Sequence, residues 1–119
     1  MAVLTVTTAT STGATPVAPA QITAWSGTGD TIAANDIGDR GVIAVVANTS
    51  GSSADFRVED PNPTPAGNPA ANGYTTVTVP NNQTRSVFIG PNNVNRTNST
   101  VKVGASTSSS TFTVQLHRY

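Results

Sequence analysis

Cysteine is absent from this chain of 119 residues, and charged residues are scarce. Without cysteine the chain forms no disulfide and no thiolate metal site, and it has no cysteine nucleophile. Charged residues make up 10% of the sequence, against roughly 25% in a typical soluble domain. Six basic and six acidic residues cancel, so no positive field attracts nucleic acid or anionic lipid. We therefore expect neither a nucleic-acid partner nor a membrane partner.

Long apolar runs are missing as well. No segment approaches the roughly 20 apolar residues of a transmembrane helix. The first residues, Met1 to Val6, contain no basic group and are interrupted by threonine, so we expect no secretory signal. A length of 119 residues is that of one domain, and we interpret residues 1–119 as a single domain.

Catalytic motifs are not found either. His117 is the only histidine, so any Ser-His-Asp triad would depend on this residue and a His-based metal cluster is excluded. Its position on the polar face of the last predicted strand, beside Arg118, favours an ordinary exposed histidine over a general base. No P-loop, dinucleotide-binding or nucleophile-elbow motif occurs. We therefore expect no enzymatic activity and no cofactor.

One acidic cluster, Asp30, Asp36 and Asp39, is a candidate for binding calcium through carboxylate oxygens. The spacing does not match an EF-hand loop. Gly38 and Gly41 make the segment more typical of a turn that leads into a strand. We expect the turn and no metal site, with calcium as the minor alternative.

What the sequence does contain is a series of short segments in which apolar and polar residues alternate. The alternation is strict in residues 54–59 and 111–117, and it places Phe56 and Phe112 in the core. Residues 75–79, 85–89 and 100–103 repeat the pattern with β-branched side chains. Clusters of Gly, Pro, Asn and Ser separate these segments. The pattern predicts a single all-β domain, an antiparallel β-sandwich or a barrel-like fold.

The run from Val42 to Ala47 is apolar at every position. This composition predicts a central strand that is covered on both faces, with one side covered by a neighbouring subunit. The polar residues 48–53 predict a turn that makes residues 42–59 a hairpin. Two further reversals, at 79–83 and 104–110, predict consecutive antiparallel hairpins in the second half of the chain.

Two segments do not resemble strands. Residues 7–21 are small and uncharged, with two prolines, and predict an extended arm that is mobile in the free protein. Residues 61–73 hold four prolines and predict a long protruding loop. Both segments could instead be tolerated surface excursions, and for the loop this alternative is as strong as a functional one. The candidate contact residues are Thr10, Thr12, Pro16, Val17 and Pro19 in the arm, and Pro61, Pro63, Pro65 and Pro69 in the loop.

Four Asn-x-Ser/Thr triplets begin at Asn48, Asn82, Asn95 and Asn98. Such triplets accept glycans in secreted proteins. A chain rich in Asn, Ser and Thr produces them by chance, and without a secretory signal we interpret them as turn chemistry.

Trp25 is the one large aromatic residue beside a flexible Gly-rich turn. We interpret it as a partly buried anchor of a sheet in preference to a ligand platform. A saccharide-binding module would need Trp25, Tyr74 or Tyr119 exposed near the proline loop.

Several motifs that follow one another over most of the chain carry a resemblance to a known family. They are Met1 to Val6, Gly41 to Gly51, Thr76 to Pro80, Thr84-Arg85, Ile89 to Pro91, Val101 to Val103 and Thr113 to Arg118. With these motifs the chain resembles the small β-sandwich head decoration, or cement, proteins of tailed bacteriophages, which bind the outside of the expanded capsid.

The resemblance implies a structural virion protein that is made in the host bacterial cytoplasm and stabilises the capsid from its outer surface. Its partner would be the major capsid protein, and it would form a homo-oligomer, with a trimer matching a three-fold lattice position. The family supplies no catalytic residues. The alternative is a carbohydrate-binding or adhesin-type β-sandwich module of a phage fibre or tail. A hydrolase that uses His117 ranks last.

Overall fold

The structure of the chain, a computed structural model, describes residues 2–8, 18–26, 29–61, 73–95, 98–107 and 111–118. Within these residues, strands account for nearly all regular structure. The strands are β1 (Ala2–Val3), β2 (Val6–Thr8), β3 (Ala20–Gln21), β4 (Asp30–Ala33), β5 (Val42–Asn48), β6 (Ala54–Glu59), β7 (Tyr74–Val79), β8 (Gln83–Ile89), β9 (Thr100–Ala105) and β10 (Phe112–Arg118). A single helical turn, α1 (Ala34–Ile37), follows β4, and a 3₁₀ turn (Pro91–Asn93) follows β8.

The strands form two packed sheets, which confirms the predicted all-β sandwich. Sheet I has the order β1-β4-β9-β6-β7, and sheet II has the order β2-β10-β5-β8, with β3 also paired to β10. Most pairs are antiparallel, whereas β1 pairs with β4 and β2 pairs with β10 in parallel. No helix in the described part of the chain is long and apolar enough to span a membrane.

The core lies between the inner faces of the two sheets. Alternate residues of β5, β6 and β10 are buried, and the residues between them are only partly covered. Phe56 from sheet I and Phe112 from sheet II have no exposed surface, as their alternation predicts. Burial of each phenyl ring stabilises the fold by about 1.5 to 3 kcal/mol.

The predicted hairpins are wrong. β5 belongs to sheet II and β6 to sheet I, so residues 49–53 cross between the sheets and residues 42–59 are not a hairpin. The connections from β7 to β8 and from β9 to β10 cross in the same way. Only β6 and β7 are successive strands that pair in this half, and the 61–73 segment joins them. Turn-forming residues specify that the chain reverses, but not whether the next strand pairs beside the first or packs opposite it.

Asn48 fixes two of these crossings. Its side chain is fully buried, and its Nδ2 donates to the carbonyl oxygens of Ser52 and Val79, each at 2.8 Å. Its Oδ1 accepts hydrogen bonds from the Ser50 backbone N–H at 3.0 Å and the Ser50 hydroxyl at 2.7 Å. The backbone N–H of Asn82 donates to the Asn48 carbonyl at 2.7 Å. One buried amide therefore joins the two connections that pass between the sheets at this end.

The strand predicted to be covered on both faces is covered on one face within this chain. Val42, Ala44 and Val46 are fully buried, whereas Ile43 and Val45 on the opposite face are only half-buried. Cover of one face is therefore found within the described residues, and cover of the other face by a neighbouring subunit stays a prediction.

The predicted arm over residues 7–21 is too long. Thr7 is buried and Thr8 lies in β2, which pairs with Arg118 and its neighbours. At the other end, β3 pairs antiparallel with Thr113 and Val114. Both ends of the segment gain ladder hydrogen bonds to β10, which a composition-based prediction does not detect. Residues 9–17 lie outside the described part of the chain.

Candidate functional site

The outer face of sheet II is uncharged, and we call it the uncharged face. Residues directly opposite one another in antiparallel strands share a face, so the registers of β5, β8 and β10 define its composition. No outward side chain that the structure describes on these three strands carries a formal charge at pH 7. The uncharged face consists of Ile43, Val45, Ala47, Thr84, Ser86, Phe88, Thr113, Gln115 and His117.

Phe88 is the most prominent side chain of this face and is 58% exposed. Two glycines lie directly beneath its ring. A Cβ atom at Gly41 would lie 2.8 Å from the ring, and one at Gly90 would lie 2.7 Å from it. Gly41 also has a φ of 80°, which disfavours any other residue there. The two glycines therefore leave room for a large apolar ring to lie across the backbone and stay exposed.

The outer face of sheet I differs, because it holds two cations stacked on two aromatic rings. Trp25 and Tyr74 meet with ring centroids 5.0 Å apart at an interplanar angle of 65°. The Lys102 Nζ lies 4.2 Å from the Trp25 centroid, and the Arg57 Cζ lies 4.7 Å from the Tyr74 centroid. We call these four residues the cation–aromatic cluster. Each stacked cation contributes about 0.5 to 1 kcal/mol at a partly exposed site.

Two glycines allow Trp25 and Lys102 to lie close to the sheet, Gly104 beneath Trp25 and Gly29 beneath Lys102. The Trp25 backbone lies against Gly104, where an added Cβ would come within 2.8 Å of the Trp25 Cα. The Trp25 N–H donates to the Ala105 carbonyl at 2.8 Å. The Lys102 side chain crosses the buried Gly29, and its Nζ donates to the Trp25 carbonyl at 3.1 Å. Trp25 is therefore the partly buried anchor that its sequence context predicts.

Two carboxylates share the sheet I face, and both already accept hydrogen bonds. Asp55 accepts one from the Thr78 hydroxyl at 2.9 Å. Glu59 accepts one from the Lys102 backbone N–H and one from Asn95 Nδ2, each at 3.0 Å. Among the described residues, neither acid forms an ion pair with Arg57 or Lys102. The ion pair that these residues do contain, Arg118–Asp36 at 3.6 Å, lies outside the cluster.

The candidate calcium ligands are not brought together. Asp30 is fully buried and accepts hydrogen bonds from the Thr23 backbone N–H and hydroxyl. Asp36 lies in α1 beside Arg118, and Asp39 is exposed in the following turn. No group of three metal-ligating side chains occurs within the residues that the structure describes.

His117 lies on the uncharged face, directly opposite Ile43 in β5. It is half-buried, and no described carboxylate lies within 4.0 Å of it. The described surroundings of His117 therefore lack the orienting acid of a catalytic triad.

Local hydrogen bonds account for two of the Asn-x-Ser/Thr triplets, as interpreted from the sequence. Asn48 has its Nδ2 occupied in the core by two carbonyl groups. Asn98 accepts from the Thr100 hydroxyl at 3.0 Å within a turn. Asn82 has a φ of 63°, which asparagine tolerates in tight turns.

The candidate contact residues fall mostly outside the described part of the chain. Pro19 and Pro61 are described, and both are exposed. The other candidates, Thr10, Thr12, Pro16, Val17, Pro63, Pro65 and Pro69, lie outside the described residues.

Neither Arg57 nor Phe88 was predicted from the sequence as a surface feature. Phe88 alternates in step with Thr84 and Ser86, and this alternation could have placed it outward. The meeting of Arg57 with Tyr74 and Trp25 depends on strands far apart in the sequence, and no local signal identifies it. No known protein family, curated protein or solved structure matches this chain.

Proposed function

We propose that this chain is a structural, non-enzymatic protein of a phage virion. As a head decoration, or cement, protein it binds the major capsid protein on the outer surface of the capsid and stabilises the shell. The sequence resemblance suggests the class. The observation that carries the proposal is the uncharged face, with Phe88 held outward at its end.

The composition of this face suits a protein partner. Charged groups are depleted at the centre of protein interfaces, while exposed aromatic residues are enriched there and dominate the binding energy. An aromatic side chain has only two rotatable side-chain bonds, so it loses little conformational entropy on binding. Because the face lacks formal charge, the contact gains little from electrostatic steering and depends mainly on apolar burial.

The face alone is smaller than one side of a specific interface. Three strands of seven residues each make up its width, which gives a footprint of roughly 300 Å² at ordinary strand spacings. A specific interface buries roughly 800 Å² on each partner. The face therefore forms the centre of a contact, and flanking segments or a second copy of the chain must supply the rest.

A homotrimer supplies that additional area and fits the same proposal. Three copies around a three-fold lattice position would present three uncharged faces to the shell together. Linked contacts of this kind bind far more tightly than one copy alone. Analytical ultracentrifugation of the protein eluted from capsids tests this part, and a monomer both there and at high free concentration would contradict it.

The test of capsid attachment compares one added charge on each outer face. Ser86→Glu adds a carboxylate to the uncharged face opposite Val45. Thr76→Glu adds one to β7 on the opposite side of the sandwich. Both positions are exposed residues in edge strands, so each variant should fold. The probe is co-sedimentation with expanded capsids assembled from the major capsid protein of the genome that encodes the chain.

We expect Ser86→Glu to weaken attachment by about tenfold or more, because it buries an unpaired charge. Thr76→Glu should bind like the parent. Equal attachment of both variants would show that the contact lies elsewhere, and failure of the parent chain to sediment with the capsids would overturn the proposed function.

A second candidate function is favoured by the cation–aromatic cluster. We propose as the alternative a carbohydrate-binding or adhesin-type module of a phage fibre or tail. Trp25 and Tyr74 lie side by side in sheet I, and Tyr74 directly follows Gly73, where the 61–73 segment ends. A glycan array tests this candidate, with Trp25→Ala as the variant that should lose binding. Retention of every glycan signal by that variant would count against it.

A further inference from the structure

The two cations of the cation–aromatic cluster have spare hydrogen-bond donors. An arginine side chain has five N–H donors, yet no described residue accepts a hydrogen bond from the Arg57 guanidinium, and its Nε is buried. Lys102 has three donors, and one of them is directed to the Trp25 carbonyl. The Nε is out of reach of a ligand, whereas the two Nη groups of Arg57 are not buried, so these Nη donors can bind acceptor atoms of an added ligand.

The acids of the same face do not bind these donors. Asp55 is bonded to the Thr78 hydroxyl, and Glu59 is bonded to a backbone N–H and the Asn95 amide. The carboxylates thus use neutral donors and leave the cations without an ionic partner among the described residues. The arrangement is suited to an added anion, because an anionic acceptor forms a stronger, charge-assisted hydrogen bond with Arg57 than a neutral hydroxyl oxygen does.

The surroundings of Arg57 point to the class of ligand. Trp25 and Tyr74 each carry a cation over the ring, but both are only half-buried, so each retains exposed apolar surface beside its cation for the C–H groups of a pyranose ring. Thr76 lies directly opposite Arg57 on the neighbouring strand and is exposed, which provides a hydroxyl for a sugar hydroxyl group. The planar guanidinium fork matches a carboxylate or sulfate in a bidentate way.

From these observations we infer that the cation–aromatic cluster binds an acidic saccharide. The carboxylate or sulfate of the sugar lies on Arg57, with Lys102 as a second positive charge, and the sugar ring contacts Tyr74 and Trp25. This inference rests on the second candidate function and names its ligand class. It is independent of capsid attachment, because the cluster and the uncharged face lie on opposite sides of the sandwich.

The test uses the full-length chain on an array of matched oligosaccharide pairs, in which hexuronate or sulfated sugars alternate with their neutral counterparts. Arg57→Gln removes the charge and the guanidinium fork, while Arg57→Lys keeps the charge alone. Arg85→Gln is the control, because Arg85 is an exposed arginine on β8 that bonds to Gln83 and Thr84. Thermal melts of all three variants establish that each is folded.

We expect the acidic members of the pairs to bind at least about tenfold more tightly than the neutral ones. Arg57→Gln should abolish that preference, Arg57→Lys should retain part of it, and Arg85→Gln should leave it unchanged. Free sulfate is titrated as a competitor. It should displace the oligosaccharide only at far higher concentration, because sulfate makes no contact with the aromatic rings.

Three results would overturn the inference in different ways. Equal binding of acidic and neutral sugars, unaffected by Arg57→Gln, would refute it and leave the saccharide-binding candidate standing. Displacement by sulfate at the same concentration as the oligosaccharide would reduce the cluster to a simple anion site. Absence of any glycan signal would remove both the inference and the second candidate function.

Discussion

The two outer faces of the sandwich are built from the same kind of strand but differ in the number of charged residues they carry. The sheet I face carries Asp55, Arg57, Glu59 and Lys102, whereas the described outward residues of the three long strands of sheet II carry no formal charge. In a chain with only 10% charged residues, this separation matters more than the net charge of zero. It divides the surface into one side suited to apolar burial and one side suited to polar ligands.

Glycine is used on both faces, again with different results. On sheet I, Gly104 allows the Trp25 backbone to lie directly against the strand. On sheet II, Gly41 and Gly90 support the exposed ring of Phe88. On sheet I, glycine therefore allows the segment around Trp25 to pack directly on a strand. On sheet II, glycine leaves room for the exposed Phe88 side chain. The first arrangement should matter for stability and the second for binding.

The largest expected effect tests the assignment of inner and outer faces. Phe112 is fully buried and Gln115, three residues later in β10, faces outward. Phe112→Ala should lower the free energy of unfolding by about 3 to 5 kcal/mol, because it leaves a cavity in the core. Gln115→Ala should lower it by less than about 1 kcal/mol. Urea denaturation measures both, and equal losses would mean that the register of β10 is reversed.

A smaller effect separates the two uses of glycine. Gly104→Ala should destabilise the fold by about 1 to 3 kcal/mol, because the new methyl group meets the Trp25 backbone at 2.8 Å. Gly90→Ala should cost less than about 1 kcal/mol, because the exposed Phe88 ring can rotate away. Chemical denaturation of the pair is the measurement. A larger loss for Gly90→Ala would show that the Phe88 ring is part of the structural core.

The Phe88 side chain itself should matter little for stability. Since it is 58% exposed, Phe88→Ser should change the free energy of unfolding by about 1 kcal/mol or less. The same variant should weaken capsid attachment strongly, because exposed aromatic anchors dominate interfaces. Thermal melting and capsid co-sedimentation of one preparation give both values. A variant that melts at a lower temperature and still attaches normally would show that Phe88 contributes to stability and not to capsid attachment.

Salt concentration should have little effect on capsid attachment through the uncharged face and a measurable effect on saccharide binding by the cation–aromatic cluster. Raising NaCl from about 50 mM to about 500 mM shortens the screening length roughly threefold. Attachment through the uncharged face should change by less than about twofold, whereas acidic saccharide binding at Arg57 should weaken severalfold. Parallel titrations at the two concentrations test this. A steep salt dependence of capsid attachment would place the contact on charged residues instead.

The sequence predicts the strands well and their arrangement poorly. Alternation in residues 54–59 gives both the limits of β6 and the burial of Phe56, because side-chain direction in a strand is a local property. The crossings at 49–53 and 80–82 could not be distinguished from hairpins, since a reversing turn serves either arrangement. They depend on the buried side chain of Asn48, which bonds to a residue 31 positions away.

The candidate sites show the same limit. The apolar composition of 42–47 predicts a central strand with one face left for a neighbouring subunit, but it does not show which face packs inward, because both faces are apolar. The cation–aromatic cluster requires residues from four separate segments, which only the folded sheet brings together. The interpretation of Trp25 as a sheet anchor agrees with the structure because a large aromatic side chain is usually at least partly buried, but the close approach to Gly104 on a distant strand has no local signal.

The central place of β10 in sheet II has a consequence for the order of folding. This strand pairs with β5 on one side and with β2 and β3 on the other, and Leu116 lies opposite Val6. While the chain is being synthesised, β5 and β8 can already pair, but the other half of the sheet has no partner until residues 112–118 emerge. Closing so long a loop makes folding slow. During that delay one edge of β5 lacks its pairing strand, and we expect this open edge to favour aggregation of the nascent chain.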